Sequence, residues 1–183
     1  MSTSPFYDLG SIEEMAVNLF YGWGYNFYRK ENQLRADDLL VRAKVGILLG
    51  SARKSVETAE RDYRRDFLPP PTREKPRPDA AAVAGAQAIE RLAHSIGAVA
   101  GQISALPVPE NDRMTQRYRQ EAATLAQLIS SDQILTGQAE LLRKMLDQKT
   151  GAWIIENMAA LQEGVSAIGE TLRTRQLLLF PAA

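Results

Sequence analysis

The chain of 183 residues contains no cysteine. Disulfides, thiolate catalysis and the usual zinc sites are therefore excluded. It has one histidine, His94. A bundle-core diiron centre takes a pair of Glu-x-x-His motifs, and Glu90 stands four residues before the only ring available. A serine triad would also depend on His94, and no glycine-flanked nucleophile elbow accompanies it. Neither a metal site nor a cofactor motif is expected, and a glycine-rich phosphate loop is missing too.

Charge of a single sign is equally scarce. Lysine plus arginine and aspartate plus glutamate number 22 each; residues 1–79 carry 13 basic and 12 acidic side chains, and residues 80–183 carry 9 and 10. Such balance provides no field to steer the chain onto nucleic acid or an anionic membrane. The longest uncharged run, residues 92–109, has six alanines and glycines against two leucines and contains two prolines, so no membrane span is expected. The opening residues, MSTSPFYDLGSIEE, lack a basic flank followed by an apolar core. A secretory leader is not expected, and the cytoplasm is the default location.

What the chain does have is apolar periodicity. With 45% apolar residues it can bury one core as a single domain over 1–183. Ser11 and Glu14 have capping-box spacing and predict a first helix over about 12–30. A second helix, about 34–67, has the stripe Val41, Val45, Leu48, Ala52, Val56, Ala59, Tyr63 and Phe67. Its Asp38–Arg42, Glu57–Arg61 and Glu60–Arg64 pairs are four apart, as on a solvated face. The proline-rich residues 69–78 form a stiff connection to a third helix, about 80–105, capped by Asp79. The fourth, about 112–148, is open to a kink at Ser130, Ser131 and Asp132. The fifth covers about 151–179, with Ile154, Met158, Leu161, Val165, Ile168 and Leu172 as its seam. The sum is an all-α, antiparallel up-and-down bundle of four long helices with a shorter aromatic helix at the N-terminus.

That aromatic segment reads YGWGYNFY, and Phe20, Tyr21, Trp23, Tyr25, Phe27 and Tyr28 crowd into ten residues. The segment alternates as a strand would, yet no other segment could pair with it, so helix is the expectation. Its width suggests one stripe in the core and a tyrosine stripe left for a ligand pocket or another chain. Gly46 and Gly50 on the second helix, with Gly97 and Gly101 on the third, form small-residue ladders. In an antiparallel pair they would face each other at a close crossing.

Asp37 and Asp38 lack the third carboxylate of the Asp-Asp-x-x-Asp magnesium motif, since Val41 holds that position. They read as first-turn acids at the positive end of a helix. LAHSIG, residues 92–97, is locally similar to the acceptor segment of histidine phosphotransfer domains, although Gly97 and Ala98 replace its lysine and glycine. The resemblance implies a phosphorelay role with His94 as acceptor and Glu90 one turn away. The leading expectation is a non-enzymatic bundle that acts through protein contacts, with itself or another protein as partner. Phosphorelay and the binding of a small apolar or aromatic ligand are the alternatives.

Overall fold

The computed structural model describes residues 4–24, 26, 34–73, 77–106 and 122–179. Among them all regular structure is helical. A 3-10 turn, Pro5–Tyr7, precedes α1 (Leu9–Trp23), α2 (Leu34–Phe67), α3 (Ala80–Ala105), α4 (Ala122–Leu146), α5 (Gly151–Glu156) and α6 (Met158–Leu179). The long helices pack in a ring: α2 on α3, α3 on α6, α6 on α4, and α4 on α2. Consecutive helices α3 and α4 therefore stand diagonally. The short α1 lies outside the ring, against α4.

Inter-helix bonds fix the directions. Arg42, near the start of α2, reaches carbonyls at the end of α3, and Arg64, near the end of α2, reaches Glu90 in the first half of α3, so these two helices run antiparallel. Arg175 on Asp132 and Thr171 on Gln138 set α6 antiparallel to α4 in the same way. No helix of the described residues is long and apolar enough to cross a membrane.

Several boundaries differ from expectation for identifiable reasons. The first helix begins at Leu9 rather than at the Ser11 box, because the turn Pro5–Tyr7 delivers the chain to Asp8, whose carbonyl accepts from Ile12 N–H at 3.1 Å. Ser11 Oγ donates instead to the Asp8 carboxylate at 2.7 Å. The helix stops at Gly24, whose φ of 68° is left-handed and suits glycine. Helix α4 passes unbroken through Ser131 and Asp132, since the Asp132 side chain is engaged by Arg175 and does not compete for its own backbone. The last helix is divided at Asn157, whose Nδ2 donates to the Trp153 carbonyl at 2.9 Å. The expected start of the fourth helix near Asp112 lies outside the described residues.

The core follows the seams. On α2 the buried apolar side chains run from Val41 to Ala59, and on α3 they include Ile89, Leu92, Ile96, Val99 and Ile103. Ile154, Leu161, Ile168 and Leu172 close it from the C-terminal side. Asp79 caps α3 as expected, accepting from Ala81 N–H at 3.2 Å.

Candidate interaction site

The most polar part of the interior lies where the start of α2, the end of α3, the first half of α4 and the last half of α6 meet. Arg175 is 1% exposed, so its charge must be met inside the protein. Its Nε and Nη2 fork onto the two oxygens of Asp132, the second at 3.3 Å, and its Nη1 donates to Asp38 at 2.8 Å. The other Asp38 oxygen accepts from Arg42 Nη1 at 3.1 Å. Arg42 turns its remaining donors to the carbonyls of Ile103, Ser104 and Leu106 at 3.0, 3.2 and 2.7 Å. These close the open C-terminal end of α3.

Asp37 stands in the first turn of α2 as expected, but both acids are buried, and Asp38–Arg42 is an interior pair rather than one on a solvated face. The reason is Arg175, 137 residues from Asp38, which lets a carboxylate stay charged in the core. Such a cluster joins four helices. Its Asp38 and Asp132 carboxylates are held in guanidinium bonds and buried.

His94 is exposed on α3, in a crevice of about 200 Å³ lined by Glu57, Glu60, Glu90 and Ala93. Arg64 bonds both Glu60 and, at 3.1 Å, Glu90. Arg53 pairs with Glu57 at 2.7 Å, so each of the three carboxylates lining the crevice is held by a guanidinium. An open groove of about 730 Å³ lies between the last half of α2 and the 147–150 turn. Lys54, Arg65 and Lys149 mix there with Asp62, Asp66 and Asp147. Arg65 is already paired with Asp62 at 2.7 Å and Asp66 at 3.0 Å, and no histidine lines the groove.

The aromatic segment divides as far as it is described. Trp23 is half-buried, with the Lys44 ammonium 5.2 Å from its ring centre, and Phe20 packs 5.5 Å from it. Tyr21 is 90% exposed. Tyr25, Phe27 and Tyr28 lie outside the described residues. On α1 only Ile12 and Ala16 are fully buried, and Leu9 and Val17 join Tyr21 on the outward side.

The glycine ladder is not a close crossing. A Cβ added at Gly46, Gly50 or Gly101 meets nothing within 4 Å, and at Gly97 it meets only the flexible Arg53 guanidinium. The two helices are turned so that Val45, Leu49, Ala52, Ile96 and Val99 fill the interior while these glycines lie to the side. Close approaches occur elsewhere. A Cβ at Gly137 of α4 would overlap the Ile12 carbonyl oxygen of α1, and one at Gly164 of α6 would overlap the Phe6 ring. Gly85 and Gly151 accommodate Tyr63.

Sequence reasoning passed over Phe6, which is fully buried. Gln138 Nε2 donates to the Phe6 carbonyl at 3.1 Å, while Gln138 Oε1 accepts from Thr171 Oγ1 at 2.9 Å. The amide is thereby oriented to read backbone. Tyr7 donates to Glu170 at 3.2 Å, and partial desolvation together with the Glu170 charge raises the Tyr7 hydroxyl above its ordinary pKa. The Pro5–Phe6 turn before the first helix was the available signal.

Comparison of the chain with protein-family models, with curated proteins and with solved structures finds no match.

Proposed function

We propose that the chain is a non-enzymatic helical-bundle module that works through protein contacts, with a second copy of itself as first partner. The observation that carries this reading is the outward face of α1. Tyr21 is 90% exposed there, and Val17 precedes it by one helical turn at 50%. An amphipathic tyrosine beside an exposed valine suits an interface better than it suits water. The ionisable clusters are internally paired: Arg175 holds Asp38 and Asp132, and Arg53 and Arg64 hold the carboxylates in the crevice of His94. Both crevices lie away from α1, so an aromatic-lined ligand pocket gains no support from them.

Sedimentation velocity tests the reading. Tyr21→Ala with Val17→Ser is expected to leave helicity unchanged and to convert a larger species to monomer. A wild-type protein that is monomeric at about 100 μM, a concentration at which contacts of this kind self-associate, would overturn it, as would a double variant of unchanged mass. Incubation with a phosphodonor is expected to give no acid-labile label at His94.

A further inference from the structure

The surface that receives the N-terminal arm has the properties of a peptide site. Three features of the arm are read independently. The Phe6 ring fills a notch that exists because residue 164 has no side chain. Its carbonyl is taken by Gln138, whose amide is held in orientation by Thr171. The next residue, Tyr7, presents its hydroxyl to Glu170. Beyond the turn, the Ile12 backbone lies directly on Gly137. A ring pocket, a carbonyl reader, a hydroxyl acceptor and a flat seat for a helix are what recognition of a short aromatic-anchored segment requires.

A vacated seat would leave two kinds of surface behind. Phe6 is fully buried in the same cluster as the valines, leucines and isoleucines of α2 and α3, so its notch would be apolar, while Gln138, Thr171 and Glu170 beside it are polar. Water satisfies the polar groups and not the notch, so an arm of the same shape refills the seat better than solvent does.

We infer that this α4/α6 seat is an exchangeable docking site, filled in cis by the chain's own Pro-Phe-Tyr arm and open in trans to the same arm of a second copy. The occupant is a second copy because its arm is identical to the one already seated, so complementarity is assured. This shares with the preceding reading only the choice of partner. It would stand if the outer face of α1 played no part.

In cis the arm competes at an effective concentration in the millimolar range, so the test weakens it there. A fluorescent peptide of residues 1–24 is titrated by anisotropy into the full chain, either wild-type or Phe6→Ala. Phe6→Ala chain is expected to capture the peptide at least about tenfold more tightly than wild type, by removal of that competition. A peptide carrying Phe6→Ala should lose at least as much, and adding Gly164→Val to the receiving chain should abolish capture. A peptide carrying Val17→Ser and Tyr21→Ala should bind undiminished. Equal capture by both chains, indifference to Gly164→Val, or loss of binding with the Val17/Tyr21 peptide would each overturn the inference. If circular dichroism finds the Phe6→Ala chain unfolded, Tyr7→Phe replaces it as receiver, losing only the hydroxyl that Glu170 accepts. About threefold tighter capture is then expected on the same competition argument, and none would be a refutation.

Discussion

Helices α3 and α4 are of similar length, yet they are buried in different ways. On α3 every buried side chain is apolar and lies on one face, from Ala82 through Ile89 and Ile96 to Ile103. On α4 every residue from Leu135 to Glu140 is buried, including Thr136, Gln138 and Glu140, and Ser131 and Asp132 are buried just before them. The cause is how evenly the neighbours cover the axis. Helix α3 packs chiefly on α2, with smaller contacts to α5 and α6, whereas α2, α6 and α1 all pack extensively on α4. A one-sided helix can be built from apolar periodicity alone. A central helix must also bury the polar residues on its other faces, and each of those needs a partner.

The contrast is broken most severely at Arg175. Arg175→Met leaves Asp38 and Asp132 without its donors in the interior and is expected to cost about 3–5 kcal/mol, read as a lower urea midpoint. Ile96→Val on α3 should cost only about 1 kcal/mol. Equal losses would mean that the charged cluster is hydrated and adds nothing beyond packing. Adding Asp132→Asn to Arg175→Met should recover part of the loss, because one buried charge goes with its partner.

The next largest effect separates two kinds of helix glycine. Gly137→Ala drives a methyl into the Ile12 carbonyl, a backbone atom that cannot turn aside. A loss of about 1–3 kcal/mol is expected, with faster hydrogen exchange along α1. Gly101→Ala meets open space and should stabilise by up to about 1 kcal/mol, as alanine does in a helix interior. Thermal unfolding of the pair measures both, and a shared sign would refute the distinction.

The smallest effect is a pH dependence. Tyr7 holds its proton more tightly in the folded chain than in the unfolded one, through desolvation and Glu170. Its contribution is therefore complete below about pH 10, the unfolded value, and is lost as pH rises through the raised folded value. Tyr7→Phe should flatten the alkaline end of the stability profile and leave the neutral region nearly unchanged.

The seams of α2, α3 and the C-terminal helices were legible because each helix presents one apolar arc, and 3.6-residue spacing reports an arc. What the same spacing concealed was in plain view. Asp38 stands one seam step before Val41, Asp132 falls between Leu128 and Leu135, and Arg175 is the next step after Leu172. Charged residues at seam positions on three different helices are a signal of interior pairing. Which acid meets which base depends on tertiary packing, which periodicity does not encode. The α1 seat was illegible for a related reason. Gly137 and Gly164 are conspicuous only when a neighbour's backbone or ring lies against them, whereas Gly46 and Gly50, four apart in the sequence, formed a pattern without a contact.

Arg175 also has a place in the order of synthesis. Its partners Asp38 and Asp132 leave the ribosome 137 and 43 residues earlier, and chains begin to collapse N-terminal end first as they emerge. Until the final turns of α6 are made, the start of α2 and the first half of α4 hold carboxylates that lack their Arg175 donors. Closing these helices together then carries the cost of buried charge. A chain truncated before residue 175 is therefore expected to stay open at this end, with faster limited proteolysis around Asp38 and Asp132 than in the full chain.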